Sequence, residues 1–534
     1  MKLDDYPYPS QRMPVFAPRG VVATGQPLAA QAGLNMLQQG GNACDAALAT
    51  AIALTVVEPT SNGIGSDAFA LLWDGQTLHG LNGSGRACAA ATIEAVRAAG
   101  HTQMPARGWM PVTVPGAPAT WRDLHARFGR LPFATLFEPA IYYAEHGYPV
   151  SPMTAAGWGR AAQLYAQDSS PALAGWAATF APNGRAPRTG EIWASPGHAR
   201  TLRRIAESRA EDFYQGEIAQ AIAGFARDTG GWMTADDLAC HTCTWVDPIS
   251  TNYHGYDVWE IPPNGQGITT LIALNILSNF DLGPLGRESV ESYHLQIEAL
   301  KLAYADALAY VADPDHCSVP VRELLSRDYA RERAALIDND ALLPAAGQPL
   351  RGGTVYLCAA DSDGMMVSLI QSNYMGFGSG VVVPGTGVAL HNRGHDFRLD
   401  PTHPNHLRPG KRPYHTIIPG FLTRDGQAVG PFGVMGGYMQ PQGHLQMVLN
   451  MVDYGLNPQA SLDAPRWQWT QGRTVLLEDE VPRPILEGLA LRGHEVSVEP
   501  VGPAFGRGQI IRRLPGGAYV AGSEKRADGA AAGY

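Results

Sequence analysis

The chain has 534 residues, of which 45% are hydrophobic and 16% are charged. This apolar fraction excludes a disordered chain, and the length allows a large buried interior. The net charge of −10 argues against nucleic acid or an anionic membrane surface as the main partner. Six cysteines are too few for a disulfide framework in a chain of this size.

No segment of the sequence predicts a membrane anchor. The longest uncharged apolar stretch, residues 46–57, has twelve residues, whereas a helix needs about 20 to cross a bilayer. Residues 1–7 lack the apolar region of a signal peptide. We therefore expect a cytoplasmic protein with no membrane partner.

The predicted elements of the first half alternate between apolar helices and short strands. Apolar positions at helical spacing predict a helix over residues 27–39, and Gly40-Gly41 suits its end. Asn42 or Asp45 is expected to cap the next helix, which ends before Pro59. A glycine-rich turn at residues 61–67 then leads into a strand over 68–73, and close backbone packing explains these glycines better than a phosphate site.

The second half begins with a long amphipathic helix predicted at residues 292–311. Residues 339–353 have no periodicity and predict a mobile loop. Two strands follow at 354–360 and 365–370, joined by a turn at 361–364. The hairpin therefore starts at a threonine that two glycines precede.

A threonine hydroxyl is a weak nucleophile unless a base lies beside it. When the threonine is the first residue of its chain, its own α-amino group can take the proton. Cleavage between Gly353 and Thr354 would create such a terminus, although the same residues could simply begin a strand after a loop. Gly436-Gly437, just before a helix predicted at 442–454, could supply oxyanion-hole N–H groups or form a plain turn.

Two patterns suggest a metal, and both are weak. Cys240 and Cys243 lack a second pair, so they are predicted to be buried structural cysteines. The histidines between positions 391 and 415 are irregularly spaced and interrupted by prolines. We therefore predict no metal, and His415 alone among them is expected to belong to a site.

Several segments match the γ-glutamyltransferase family of N-terminal-nucleophile (Ntn) hydrolases. The similarity extends from about residue 17 to residue 534, and its segments are Gly40-Gly41-Asn42-Ala43-Cys44-Asp45, Val57-Glu58-Pro59, Val114-Pro115-Gly116, Pro262-Pro263-Asn264-Gly265-Gln266-Gly267, Leu302-Ala303-Tyr304-Ala305-Asp306 and Asp528-Gly529-Ala530-Ala531-Ala532-Gly533-Tyr534. The sequence therefore resembles a member of that family.

The resemblance implies an α+β fold, a four-layer αββα sandwich, made as a proenzyme that cuts itself. The products would be a large subunit, 1–353, and a small subunit, 354–534, which form a heterodimer. A dimer of such heterodimers stays open. Thr354 falls on the nucleophile position, Ser372 on a supporting hydroxyl, and Gly436 and Gly437 on the oxyanion hole. The family implies neither a metal nor an organic cofactor.

The substrate pocket departs from the family pattern. Ser84 stands where the family places its carboxylate-binding arginine, Arg86 follows two residues later, and Tyr374 replaces an asparagine. The resemblance assigns substrate contacts to the following residues: Arg86, Asn373, Tyr374, Arg393, Asp396, His415 and Thr416. Serine cannot replace the two-pronged carboxylate contact of arginine, so the grip on a glutamyl group is rebuilt here.

These departures resemble the subgroup that contains oxamate amidohydrolase, an enzyme of purine catabolism. We therefore expect hydrolysis of a small anionic amide with release of ammonia. Hydrolysis or transfer of γ-glutamyl groups, as from glutathione, and a glutaryl-cephalosporin acylase activity are the alternatives. An uncleaved, non-catalytic binding protein is a further alternative, which Thr354, Ser372 and the Gly436-Gly437 pair together disfavour.

Overall fold

The computed structural model describes residues 12–344 and 353–534. The predicted loop at 339–353 therefore lies partly outside the described residues. In chain order the strands are β1 (Val15–Ala17), β2 (Val21–Thr24), β3 (Asp67–Trp73), β4 (Leu78–Asn82), β5 (Tyr148–Pro149), β6 (Ile192–Trp193), β7 (Thr244–Val246), β8 (Ile249–Tyr253), β9 (Tyr256–Glu260), β10 (Gly353–Ala360), β11 (Met366–Tyr374), β12 (Gly420–Arg424), β13 (Gln427–Met435), β14 (Trp467–Gln471), β15 (Thr474–Glu478), β16 (Glu495–Glu499), β17 (Arg507–Arg513), β18 (Tyr519–Ser523) and β19 (Ala530–Gly533).

Helices cover the outer faces of the sheets. They are α1 (Pro27–Gln38), α2 (Ala43–Val57), α3 (Ile93–Ala98), α4 (Ala117–Phe128), α5 (Glu138–His146), α6 (Pro152–Tyr165), α7 (Ala174–Phe180), α8 (Pro196–Ser208), α9 (Glu211–Gln215), α10 (Glu217–Asp228), α11 (Ala235–Ala239), α12 (Ile268–Leu277), α13 (Val290–Tyr310), α14 (Val321–Leu324), α15 (Arg327–Ala334), α16 (Gln440–Val452), α17 (Pro458–Asp463) and α18 (Arg483–Leu491). No helix in the described part of the chain is long and apolar enough to cross a membrane.

Two seven-stranded sheets form the centre of the molecule. One sheet, named the nucleophile sheet for the predicted role of Thr354 on β10, has the order β19-β2-β10-β11-β3-β4-β7. The facing sheet has the order β1-β18-β17-β13-β12-β9-β8. All pairs within these two sheets are antiparallel. Both sheets contain strands from before and after Gly353, so the two predicted subunits share each sheet.

Alternating side chains produce the four layers. On β10, Val355, Leu357 and Ala359 pack on the helix side with α1 and α2. Tyr356 and Cys358 point the other way, into the apolar layer between the sheets. A third cluster joins the facing sheet to α12, α13 and α16. This arrangement is the predicted αββα sandwich.

The predicted helices and the hairpin are confirmed with small shifts at their ends. Asn42 and Asp45 both cap α2, because each side chain accepts a hydrogen bond from the other's backbone N–H. A Cβ atom at Gly65 would lie 2.4 Å from the carbonyl oxygen of Ala389. Close backbone packing therefore explains this glycine, as predicted.

The cysteine prediction is partly wrong. Cys240 and Cys243 are free, but Cys240 is exposed and Cys243 is only partly buried. Cys240 follows the end of the short helix α11 directly. Cys240 therefore lies on the surface at the end of a helix, outside the apolar core.

Candidate active site

Thr354 faces the layer between the two sheets. It has the same parity on β10 as Tyr356 and Cys358, and Ser372 has the same parity on β11 as Ile370. The two hydroxyl groups are fully buried, and their oxygens lie 3.0 Å apart. Strand alternation therefore brings the predicted nucleophile and its supporting hydroxyl together.

Other groups fix both oxygens. The Gln440 side chain, at the first position of α16, donates to Thr354 Oγ1 at 3.5 Å. Ser372 Oγ accepts from the Tyr374 N–H at 2.8 Å and from Arg393 at 3.3 Å. The Ser372 hydroxyl thus links the Thr354 hydroxyl to the positively charged Arg393.

The Gly436-Gly437 turn follows β13, opposite the nucleophile sheet. Gly436 has φ 141° and Gly437 has φ 63°, values that favour glycine. The Gln266 side chain donates to the Gly437 carbonyl at 3.0 Å, and the Tyr304 hydroxyl donates to the Tyr438 carbonyl. Neither glycine N–H donates to an acceptor among the described residues. The turn therefore has fixed carbonyls and two N–H groups available to an oxyanion.

Arg393 is the charged residue of the site. Its guanidinium is fully buried, donates to Thr416 Oγ1 at 2.6 Å and lies 3.6 Å from the Asp396 carboxylate. It also lies 4.2 Å above the Tyr374 ring. Its Nε has no hydrogen-bond partner among the described residues. A buried guanidinium with a donor to spare can bind a further anion.

Tyr374 and Asp396 form the wall behind this arginine. Tyr374 has a positive φ of 72°, uncommon for an aromatic residue, and its hydroxyl donates to Asp396 at 2.7 Å. The Tyr438 hydroxyl donates to the same carboxylate oxygen at 3.2 Å. Burial raises the pKa of Asp396, and the charge of Arg393 opposes that rise.

His415 belongs to a second buried group rather than to the Thr354 cluster itself. His415 and His391 approach the Asp67 carboxylate at 3.1 and 3.5 Å. Burial raises the pKa of Asp67 to about 7 and lowers that of His391 to about 3. Burial also lowers the pKa of His415. Asp67 pairs with Ser372 across β3 and β11, so this group supports the site from behind.

The structure does not bring Arg86 and Asn373 into contact with Thr354. Arg86 binds Asp315 at 2.7 Å and Asp313 at 3.4 Å, and its side chain is 36% exposed. Asn373 has the opposite parity to Ser372, and its side chain accepts from the Ser66 hydroxyl. Within the described residues neither one contacts the Thr354 cluster.

Sequence reasoning missed Gln440, Asp67 and Gln266. Each reaches the site by a contact across the fold, and no local sequence pattern marks such a contact. Only Gln266 had a hint, because it lies in one of the matching family segments.

One group of potential metal ligands lies apart from the site. Among the described residues, His294, Glu298 and His494 have ligand atoms within 4.8 Å of one another. The Lys301 ammonium is 2.7 Å from Glu298, and the Leu342 N–H donates to the same carboxylate. An ammonium already paired with the carboxylate disfavours a second cation, so this group fits a structural role.

Comparison with known proteins identifies the family. The sequence profile described as gamma-glutamyltranspeptidase matches residues 29–534. The chain belongs to this family. The glutathione hydrolase-like YwrD proenzyme of Bacillus subtilis (strain 168) is 37% identical over 97% of this chain and 99% of its own length. The oxamate amidohydrolase proenzyme of Klebsiella pneumoniae subsp. pneumoniae is 34% identical over 96% of this chain and 98% of its own length.

A solved structure resembles the whole chain. The cephalosporin acylase from Bacillus halodurans has 57% sequence identity and a TM-score of 0.96, over 99% of this chain and 98% of that one. Together the relatives show an Ntn hydrolase of amide bonds that is made as a proenzyme. They differ in the substrates that their names state.

Proposed function

We propose that the chain cuts its own Gly353–Thr354 bond and that Thr354 is then the nucleophile of an amide hydrolase. The freed α-amino group takes the proton of Oγ1, which attacks the carbonyl carbon of the amide. The N–H groups of Gly436 and Gly437 stabilise the resulting oxyanion. The amine leaves with the transferred proton, and water hydrolyses the threonyl ester to free the acid.

The preferred substrate is a small amide with a negatively charged acyl group. The observation that carries this proposal is Arg393, which is buried, bonded to Ser372 and supplied with one unpartnered donor. Tyr374 and Arg393 are both fully buried, and a compact acyl group would reach that guanidinium with the least rearrangement. Oxamate, which would give oxalate and ammonia in purine catabolism, fits these limits and agrees with the similarity to oxamate amidohydrolase.

An acylase activity on a larger amide is the second candidate. A groove of about 760 Å³ opens beside Gly436, and oxamate would leave most of it empty. The 57% identity to a cephalosporin acylase supports the same reading. A γ-glutamyl substrate is less favoured, because Ser84 donates to Asn82 and has no charge for an α-carboxylate.

Intact mass under denaturing conditions tests the first half of the proposal. The wild type is expected to give two masses that sum to the chain plus one water, with the smaller product beginning at Thr354. Thr354→Ala is expected to give one uncut chain, because the same hydroxyl is needed for cleavage and turnover. Cleavage of that variant at the wild-type rate would refute the assignment.

The substrate half is tested with oxamate and oxamide, which differ by one negative charge. The wild type should prefer oxamate, and Arg393→Met should lose roughly ten- to a hundredfold of that preference, the value of a charge-assisted hydrogen bond. Arg412→Met is the matched control, since Arg412 is also buried but bonds to Ser84 and Thr244. An unchanged oxamate preference in Arg393→Met would remove Arg393 from substrate binding.

A further inference from the structure

The groove beside Gly436 lies between the two predicted subunits. One wall is helix α6, and the other includes residues 375–378 and the turn at 503–504. Met153, Gly157, Arg160 and Leu164 line it at helical spacing, so one face of α6 forms that wall. The Tyr165 hydroxyl donates to the Gly376 carbonyl at 3.1 Å and fixes the helix against the opposite wall.

Arg107 enters the groove from a tightly held loop. On one side of it, Asn392 Nδ2 donates to the Ala106 carbonyl at 2.8 Å. On the other side, the Gly108 N–H donates to the Ser379 carbonyl at 2.9 Å. Both partners belong to the predicted small subunit, so the backbone of Arg107 is fixed relative to the nucleophile.

The residues that line the groove carry a net positive charge although the protein is acidic. Among the described residues that line it, three are arginines and none is acidic. Arg507 pairs with Glu58 at 3.2 Å, but Arg107 and Arg160 make no hydrogen bond or ion pair with any described residue. Two unpaired cations in one concave site, in a chain of net charge −10, attract an anion and concentrate it there.

We infer that Arg107 and Arg160 bind a carboxylate on the amine half of the substrate. The inference rests on the second candidate of the proposed function, an acylase for a larger amide, with Arg393 holding the acyl half behind Thr354. Arg393 and Tyr374 are buried whereas the groove beside Gly436 is open, so we place the amine half in that groove. The scissile amide then lies between one buried cation and two cations at the groove.

The body of that amine is apolar. Met375 and Leu164 line the groove together with Phe377, and Leu164 is 41% exposed. Such a surface suits an aromatic or aliphatic ring, whereas the two arginines suit a carboxylate on its far side. The substrate class is therefore an N-acyl amino acid whose amine carries a hydrophobic ring.

Two pairs of chromogenic anilides separate the amine half from the acyl half. One pair carries an oxalyl group and the other a glutaryl group. Within each pair the leaving amine is either 4-nitroaniline or its carboxylated form, 5-amino-2-nitrobenzoate. The wild type should turn over the carboxylated member with the higher kcat/KM. Arg107→Ala and Arg160→Ala should each lower that advantage about tenfold, with the uncarboxylated member little changed.

Arg322→Ala is the control, because Arg322 is exposed and lies on α14, away from the groove. If kcat/KM falls equally for both members of a pair, the groove arginines act on folding or on the nucleophile, and the inference is overturned. A wild-type preference for the carboxylated anilide in the double Arg107→Ala, Arg160→Ala variant would overturn the inference as well.

Calorimetric binding of the two free amines gives a readout without turnover. The wild type should bind 5-amino-2-nitrobenzoate more tightly than 4-nitroaniline, and the double Arg107→Ala, Arg160→Ala variant should bind both alike. If this preference appears while neither an anilide nor oxamate is cleaved, the proposed function fails and the groove assignment stands. If anilides are cleaved without any preference for the carboxylate, the groove assignment fails and the proposed function stands.

Discussion

Replacing Ser372 with alanine should slow both self-cleavage and turnover. The serine oxygen lies 3.0 Å from the Thr354 oxygen and accepts from the Tyr374 N–H and from Arg393. Removing it frees the nucleophile from one positioning contact, which is worth about 1–1.5 kcal/mol. We therefore expect kcat/KM of the matured fraction to fall roughly tenfold.

The same substitution leaves two buried donors without an acceptor. An unsatisfied buried donor destabilises a protein by about 1–3 kcal/mol, and by more when the donor is charged. Tyr374 and Arg393 are both fully buried, so water cannot replace the lost oxygen easily. We expect a stability loss of about 2–5 kcal/mol. Ser372→Thr, which keeps the hydroxyl, should recover most of both effects.

Ser368→Ala is the matched control for this experiment. Ser368 is four residues earlier on the same face of β11, is equally buried, and bonds to the Tyr356 hydroxyl at 2.8 Å. It should lose stability without losing self-cleavage, as followed by intact mass over time. If Ser372→Ala matures and turns over like the wild type, or if Ser368→Ala is equally inactive, the positioning role of Ser372 is refuted.

Three further outcomes follow from the described contacts. Gly436→Ala should block maturation and turnover, since a φ of 141° strains any other residue and the new methyl group would lie 3.3 Å from Gly506. Self-cleavage at the wild-type rate, followed by intact mass over time, would contradict this. Because the pKa of Asp67 is raised from 3.8 to about 7, the native state retains a proton that the unfolded state releases, so stability should fall by roughly 4 kcal/mol as the pH rises from 4 to above 7. Asp67→Asn mimics the protonated form, and denaturant unfolding at several pH values should show a flatter profile in that variant. A thiol reagent should modify Cys240 first in the native protein, because burial raises the pKa of the Cys243 thiol, and Cys240→Ser should remove the fast phase.

Local patterns in the sequence predict most of the elements that carry the site. Runs of β-branched and apolar residues around a turn predict the β10–β11 hairpin, and helical periodicity with capping residues predicts α1 and α2. These signals lie within a few residues of each other and need no knowledge of the rest of the fold. The role predicted for Ser372 rests on the family resemblance instead, because Ser372 lies beyond the strand predicted at 365–370.

The long-range contacts of the site could not be predicted in this way. Asp67 meets His391 and His415 across more than 300 positions, and no local spacing marks that group. Arg86 and Arg393 are both predicted substrate contacts, and the shared guanidinium does not show which of them lies in the site. Only the fold shows that Arg86 is paired with Asp315 and that Arg393 donates to Ser372.

The sharing of strands between the two predicted subunits has a kinetic consequence. Within the nucleophile sheet, β2 lies between β10 and β19, and β3 pairs with β11, so each predicted fragment is hydrogen-bonded into the other. The uncut chain folds in a first-order reaction, whereas two separated fragments would have to find each other in a second-order one. Cleavage at Gly353–Thr354 would thus convert a concentration-independent folding reaction into a concentration-dependent one, and the mature protein would persist mainly because it unfolds slowly.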